Sequence, residues 1–150
     1  MTSKALVADF VAQKKLAIVG VSRGGRKFGN AAFRELKAKG YNLFPVHPQA
    51  ESIEGERCYP SLAALTEPVD GVLITVPPAE TEHVVREAAA AGIKRVWMQQ
   101  GAGSPQAIRF CEESGMSVVH GECILMFAEP AAWFHRAHRW VWKVLGKLPQ

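Results

Sequence analysis

A chain of 150 residues, 48% hydrophobic and 21% charged, has the length and apolar content of one globular domain. Its 18 Lys and Arg against 14 Asp and Glu leave a net charge of +4, which favours anionic ligands but is too small to indicate nucleic acid. No apolar run reaches the ~18 residues of a membrane span, no signal-peptide core is present, and the scattered Cys58, Cys111 and Cys123 make neither a disulfide framework nor a zinc site, so a cytoplasmic protein is expected.

In chain order, residues 3–15 carry Leu6 with Phe10 and Val7 with Val11 four apart, an amphipathic helix suited to covering a sheet. Leu16 to Val21 is apolar throughout, as a parallel strand buried on both faces is. A polar turn follows. Gly29 to Lys39 then reads as a helix, with Ala32, Phe33 and Leu36 inward and Gly40 as its left-handed stop. Tyr41 to Val46 forms a second strand that ends at His47-Pro48, residues 49–59 read as a loop, and Leu62 to Leu65 makes a short helix. Gly71 to Val76 is the third strand, ended by Pro77-Pro78, which cannot continue a ladder. Glu80 to Ala91 is the next helix, and Lys94 to Gln99 the fourth strand. Ser104-Pro105 opens a helix that reaches Ser114, and Met116 to His120 is the fifth strand.

This alternation predicts a Rossmann-like, doubly wound α/β fold: a parallel five-stranded sheet with helices on both faces, over residues 1–128. Residues 129–150 stand apart as a C-terminal amphipathic helix. Trp133, Ala137, Trp140, Val141 and Val144 make its apolar stripe, and Arg136, Arg139, Lys143 and Lys147 its basic one.

In such a sheet, ligands bind outside the carboxyl ends of the strands. Gly20 to Lys27, His47-Pro48, Val76-Pro77-Pro78 and Met98 to Gly101 are therefore expected to converge. Amides of the first turn and of the following helix N-terminus would face an anion, supported by Arg23, Arg26 and Lys27. The NAD fingerprint is not met. Ser22 stands where GxGxxG needs its second glycine, and Val46-His47-Pro48 offers no acid for a ribose diol. Nor is Gly24-Gly25-Arg26-Lys27 a P-loop, since it lacks the spacing and the hydroxyl for magnesium. The residues lean toward a nucleotide with more phosphate than NAD, coenzyme A or NADP, with coenzyme A favoured.

Four segments carry a family resemblance: GVSR followed by Lys27-Phe28-Gly29, KGYNLFPVHP, the strand-end VPP of Val76 to Pro78, and AGIKRVWMQQGAG. Together, from about Leu16 to Met126, the chain resembles the CoA-binding protein family, small Rossmann-like proteins similar to the CoA-binding domain of the succinyl-CoA synthetase alpha subunit. The resemblance implies that Gly20, Val21, Ser22 and Arg23 line the pyrophosphate and that Lys27 reaches the ribose phosphate. It further implies that Val46, His47 and Pro48 flank the adenine and ribose, with Val76, Pro77, Met98, Gln99 and Gln100 lining the groove.

The ligand implied is coenzyme A or an acyl-CoA, held more than transformed. The synthetase's second domain, with its phosphorylated histidine, is not expected in 150 residues, and no catalytic residue or metal ligand is assigned. An NAD(P)-binding oxidoreductase or redox-sensing module of the same fold stays open, as does an interaction protein acting through the C-terminal helix. His120 and Cys123 invite a nucleophile-and-base pair. The core-like Ile124 to Phe127 beside them favours a buried structural cysteine, with a mixed disulfide to the ligand thiol as a lesser alternative. His135 and His138 lack a third metal ligand. The tryptophan-bearing tail is expected to pack on the domain or on a partner subunit, giving a homo-oligomer, ahead of a membrane surface.

Overall fold

The computed structural model describes residues 3–128. The helix expected over residues 129–150 lies outside the described residues. Helix α1 (Lys4–Ala12) starts at Ser3, whose hydroxyl oxygen accepts from the Leu6 amide at 3.1 Å. There follow β1 (Lys15–Val19), α2 (Phe28–Ala38), β2 (Asn42–Val46) and a hairpin of β3 (Ser52–Ile53) and β4 (Glu56–Arg57). A 3-10 turn at Leu62–Ala64 leads to β5 (Gly71–Ile74), α3 (Pro78–Ala90), β6 (Arg95–Gln99), α4 (Pro105–Glu113) and β7 (Ser117–Glu122), and a second 3-10 turn closes the domain at Ile124–Met126.

The five longer strands form one parallel sheet in the order β2-β1-β5-β6-β7, the Rossmann-like α/β architecture. Strand residues alternate between its two faces, as a period of two requires. Leu16, Ile18, Leu73, Trp97 and Val119 pack with Val7 and Phe10 of α1 and Phe33 and Leu36 of α2. Ala17, Val72, Ile74, Val96 and Met98 pack with Val84 and Val85 of α3 and Ala107 and Cys111 of α4. Both faces are covered, so the strands read as unbroken apolar runs.

Three local features differ from the reading of the sequence. The stretch read as a loop contains the β3–β4 hairpin, turned by Glu54 (φ 52°) and Gly55 (φ 79°). Two residues at positive φ match a tight hairpin turn, but glutamate is not a residue that signals one. Helix α3 starts two residues before Glu80, because Pro77 serves as its N-cap and Pro78 as its first residue; a proline that ends a strand also suits the first turn of a helix. Strand β7 runs two residues past His120. Met98 pairs with His120 and Gln99 with Glu122, so Gly121 (φ 78°) is an unopposed bulge residue. The bulge carries the chain to Cys123 instead of ending the strand.

Trp97 ties the bulged end to the core. Its ring lies 5.4 Å from that of Phe10 and 6.1 Å from that of Phe127, and its Nε1 donates to the Glu122 carbonyl at 3.0 Å. Trp97→Phe removes ring area and this buried donor. It should lower unfolding stability by about 1–3 kcal/mol, measured by urea denaturation followed by far-UV circular dichroism.

Candidate functional site

From β1 the chain passes through α2 to β2 on one side, and from β2 it crosses back to β5 on the other side of β1. Strand order thus reverses between β1 and β5, where an open sheet forms its crevice. A cleft of about 510 Å³ lies there. Lys27, Phe28 and Gly29 line it at the start of α2, Thr75, Val76 and Pro77 after β5, Gln99 to Ala102 after β6, and Cys123 after β7.

The start of α2 sits on the ends of β1 and β5 with no space to spare. Gly20 has φ 118°, and a Cβ there would lie 1.9 Å from Thr75 Oγ1. A Cβ on Gly29 would lie 2.5 Å from the Gly20 carbonyl oxygen and 2.8 Å from Thr75 Oγ1. Thr75 donates to the Val19 carbonyl from both its amide, at 2.8 Å, and its hydroxyl, at 3.0 Å. Two glycines and one threonine therefore bring a helix N-terminus over the crevice. Lys27, the N-cap, gives no side-chain cap, and the first turn of α2 holds no acidic residue. The leading amides of the helix are left for another acceptor.

The turn between β1 and α2 is held from inside. Asn30 is fully buried and uses all four hydrogen-bonding positions of its side chain. Its Oδ1 accepts from the Ser22 amide at 2.8 Å and hydroxyl at 2.9 Å, and its Nδ2 donates to the Ser22 carbonyl and to Glu54 Oε2, each at 2.9 Å. The hydrogen bond from Asn30 holds the Glu54 carboxyl below the usual carboxylate range, against the effect of burial and aided by the Arg34 guanidinium.

Arg23, Arg26 and Lys27 are exposed and, among the described residues, form no ion pair. Arg23 Nη2 donates to Gln49 Oε1 at 3.3 Å. His47 is half-buried beyond β2, and its Nδ1 accepts from the Gln49 amide at 3.0 Å. Burial, then the charges of Arg23 and Lys27, lower its pKa from the ordinary 6.5. The ring is neutral near pH 7, with its proton on Nε2. The β1 turn and the end of β2 thus share one electrostatic environment.

Of the expected site residues, Gly20, Ser22, Arg23, Lys27, His47 and Pro48 gather at the strand ends, and Val76, Pro77, Gln99 and Gln100 line the cleft. The side chains of Val21, Val46 and Met98 point elsewhere. Val21 is in the core with α2, and Val46 and Met98 are in the core with α3 and α4. Gln99 is also buried, its Oε1 accepting from the Ile124 amide at 3.1 Å, so it anchors the segment after β7. His120 and Cys123 line different hollows, His120 with Leu6 and Glu112 and Cys123 in the cleft. All three cysteines are free and buried, and burial pushes the Cys111 thiol up to about 11.

Sequence reasoning missed Thr75, Phe28, Asn30 and Glu54. Thr75 was visible as the first polar residue after the apolar Gly71 to Ile74, and Asn30 as a polar side chain three before Phe33 on the inward face of α2. Phe28, 44% exposed at the cleft, and Glu54 gave no comparable signal. Among the described residues, no group of His, Cys, Asp and Glu could hold a metal ion, and no helix is long and apolar enough to cross a membrane.

A parallel sheet with its crevice at the strand-order reversal, overlooked by an uncapped helix N-terminus, defines a Rossmann-like α/β domain. Within that class the chain belongs to the CoA binding domain family, whose model matches residues 14–129. Over 88 residues it is 35% identical to ADP-forming acetate–CoA ligase II of Archaeoglobus fulgidus, a match covering 57% of this chain and 13% of the ligase. The chain therefore spans only a small part of that relative. A conserved hypothetical protein of Pyrococcus furiosus superposes with a TM-score of 0.71 at 40% identity, covering 74% of this chain and 96% of that one. A hypothetical protein of Pyrococcus horikoshii superposes with a TM-score of 0.75 at 29% identity, covering 79% and 84%.

Because nearby cations disfavour the imidazolium, removing them should raise the His47 pKa. An NMR titration of the free protein should place the His47 midpoint below 6.5 and move it upward in Lys27→Ala and in Arg23→Ala. A midpoint unchanged in both variants would mean that the turn's charges do not reach the ring.

Proposed function

We propose that this chain binds coenzyme A or an acyl-CoA in the cleft at the carboxyl ends of β1, β5 and β6. The observation that carries the reading is the uncapped N-terminus of α2. It meets unpaired Arg23, Arg26 and Lys27 at the strand-order reversal of a domain from the CoA binding family. Cations at a helix N-terminus oppose the helix dipole unless an anion balances them. A pyrophosphate supplies that balance and accepts from the free amides.

Ser22 already spends its amide and hydroxyl on Asn30. Its part is to shape the turn, and the neighbouring amides of Arg23 and Gly24, with those of Phe28 and Gly29, take the phosphates. Lys27 and Arg23 reach the ribose phosphate, and the neutral His47 offers an Nε2 donor on the same side. The pantetheine arm runs along Val76, Pro77 and Gln100 toward Cys123, with the exposed Phe28 ring at the mouth of the cleft. These groups clamp and orient a ligand, which supports binding as the function of the site. Arg23, Lys27 and His47 are also why coenzyme A is favoured over NAD. A ribose phosphate suits this cluster, and no carboxylate ends β2 to hold a ribose diol.

Isothermal titration calorimetry tests the reading. CoA should bind, and dephospho-CoA should bind about tenfold or more weakly, as should CoA to Lys27→Ala, each having lost one charge-assisted contact. NADPH binding tighter than CoA, or no heat with CoA at millimolar concentration, would refute it. Mass analysis of any small molecule that co-purifies is an independent check.

A further inference from the structure

Glu54 is the one non-glycine residue at positive φ among the described residues, at φ 52°. A Cβ makes this conformation unfavourable, and tight hairpin turns ordinarily place Asn, Asp or Gly there. The side chain of Glu54 is only 15% exposed, and it turns back toward α2. Its Oε2 accepts from Asn30 Nδ2 at 2.9 Å and from Arg34 Nη1 at 2.8 Å. Arg34 Nη1 also reaches the Gly25 carbonyl at 3.4 Å, while Asn30 holds Ser22 by its amide, hydroxyl and carbonyl. One carboxylate oxygen thus connects to both ends of the turn between Ser22 and Gly25.

The chemistry of the groups gives the contact a direction. A side-chain amide can be rotated end for end with little change of shape. A carboxylate only accepts, so Glu54 requires the NH2 of Asn30 to face it. That leaves Oδ1 facing the Ser22 amide, where an acceptor is needed. With the amide reversed, Asn30 would present donors to the Ser22 N–H and an oxygen to the carboxylate. Arg34 is fixed by the same oxygen, and it braces the far end of the turn.

We propose that Glu54 is a positioning residue for the phosphate-binding turn: through Asn30 and Arg34 its carboxylate sets the backbone of Ser22 to Gly25 in the shape that receives coenzyme A. The proposal rests on the CoA-binding reading above. The hairpin that carries Glu54 lies in the crossover from β2 to β5, so the clasp also joins the crossover to the anion site.

Glu54→Gly separates positioning from simple stability. Glycine relieves the strain at positive φ but loses the carboxylate's bonds to Asn30 and Arg34, and the two effects oppose each other, so the melting temperature should change little. CoA affinity should nonetheless fall about tenfold, because a turn that is not held must be ordered on binding. Glu54→Gln, which can present either a donor or an acceptor to Asn30, should fall in the same direction, and Glu54→Asp is not expected to span the gap. The amide of Ser22, bonded to Asn30 Oδ1, should exchange with solvent faster in Glu54→Gly. Wild-type affinity in Glu54→Gly would overturn the proposal, as would a parallel loss of melting temperature and affinity with Ser22 exchange unchanged. Wild-type protein that binds no CoA would sink the ligand reading, and Ser22 exchange in Glu54→Gly would then decide by itself whether Glu54 holds the turn.

Discussion

The contact between the start of α2 and the ends of β1 and β5 is the constraint from which the site follows. Gly20 and Gly29 meet across Thr75 at distances that exclude a single Cβ. Thr75 also bonds twice to the last carbonyl of β1, so the two central strands end in register with each other. This brings the helix N-terminus over the strand-order reversal and not beside it. A methyl group at either glycine would push the helix outward and withdraw its amides from the cleft. A chain of this fold with larger residues here could keep its sheet and lose this placement of the helix.

The distribution of charge marks the same place. Several cations elsewhere on the described surface sit beside acids: Lys15 with Glu67, Lys37 with Glu56, Lys39 with Glu35, Arg86 with Glu82 and Arg95 with Asp9. Exposed pairs of this kind contribute little stability each, but they leave little net field around them. In the β1 turn three cations, Arg23, Arg26 and Lys27, stand together without such a partner among the described residues. Their field is felt as far as His47, whose pKa falls partly because Arg23 and Lys27 are near. Three cations without an acidic partner are therefore gathered at one end of the sheet.

Much of the fold could be read from the sequence because parallel strands covered on both faces are apolar at every position and their helices carry a one-sided stripe. Gly40, at φ 93°, stops a helix where a left-handed stop was expected, and Gly92, at φ 79°, does the same after α3. The hairpin could not be read, since its turn is Glu54-Gly55 and its strands are two residues each. Such a turn is stabilised from outside, by Asn30 and Arg34, and pattern along the chain cannot show partners 20 and 24 residues away. For the same reason Met98 was grouped with Gln99 and Gln100, although strand alternation turns its side chain into the core with α3 and α4.

The segment Gly20-Val21-Ser22-Arg23 thereby takes on a different meaning. Val21 faces the core, Ser22 is turned inward to Asn30, and Gly20 is required for its conformation and lack of bulk. Of the four, only Arg23 carries a charge, and its head donates to Gln49. What the segment encodes is a backbone path more than a set of side chains. A backbone path needs restraint from residues outside it, and Asn30, Glu54 and Thr75 supply that restraint from three different elements. Asn30 and Glu54, which hold the turn, are absent from the lining of the candidate cleft, whereas Thr75 belongs to both. Glu54 lies in a hairpin whose composition gives no hint of this contact.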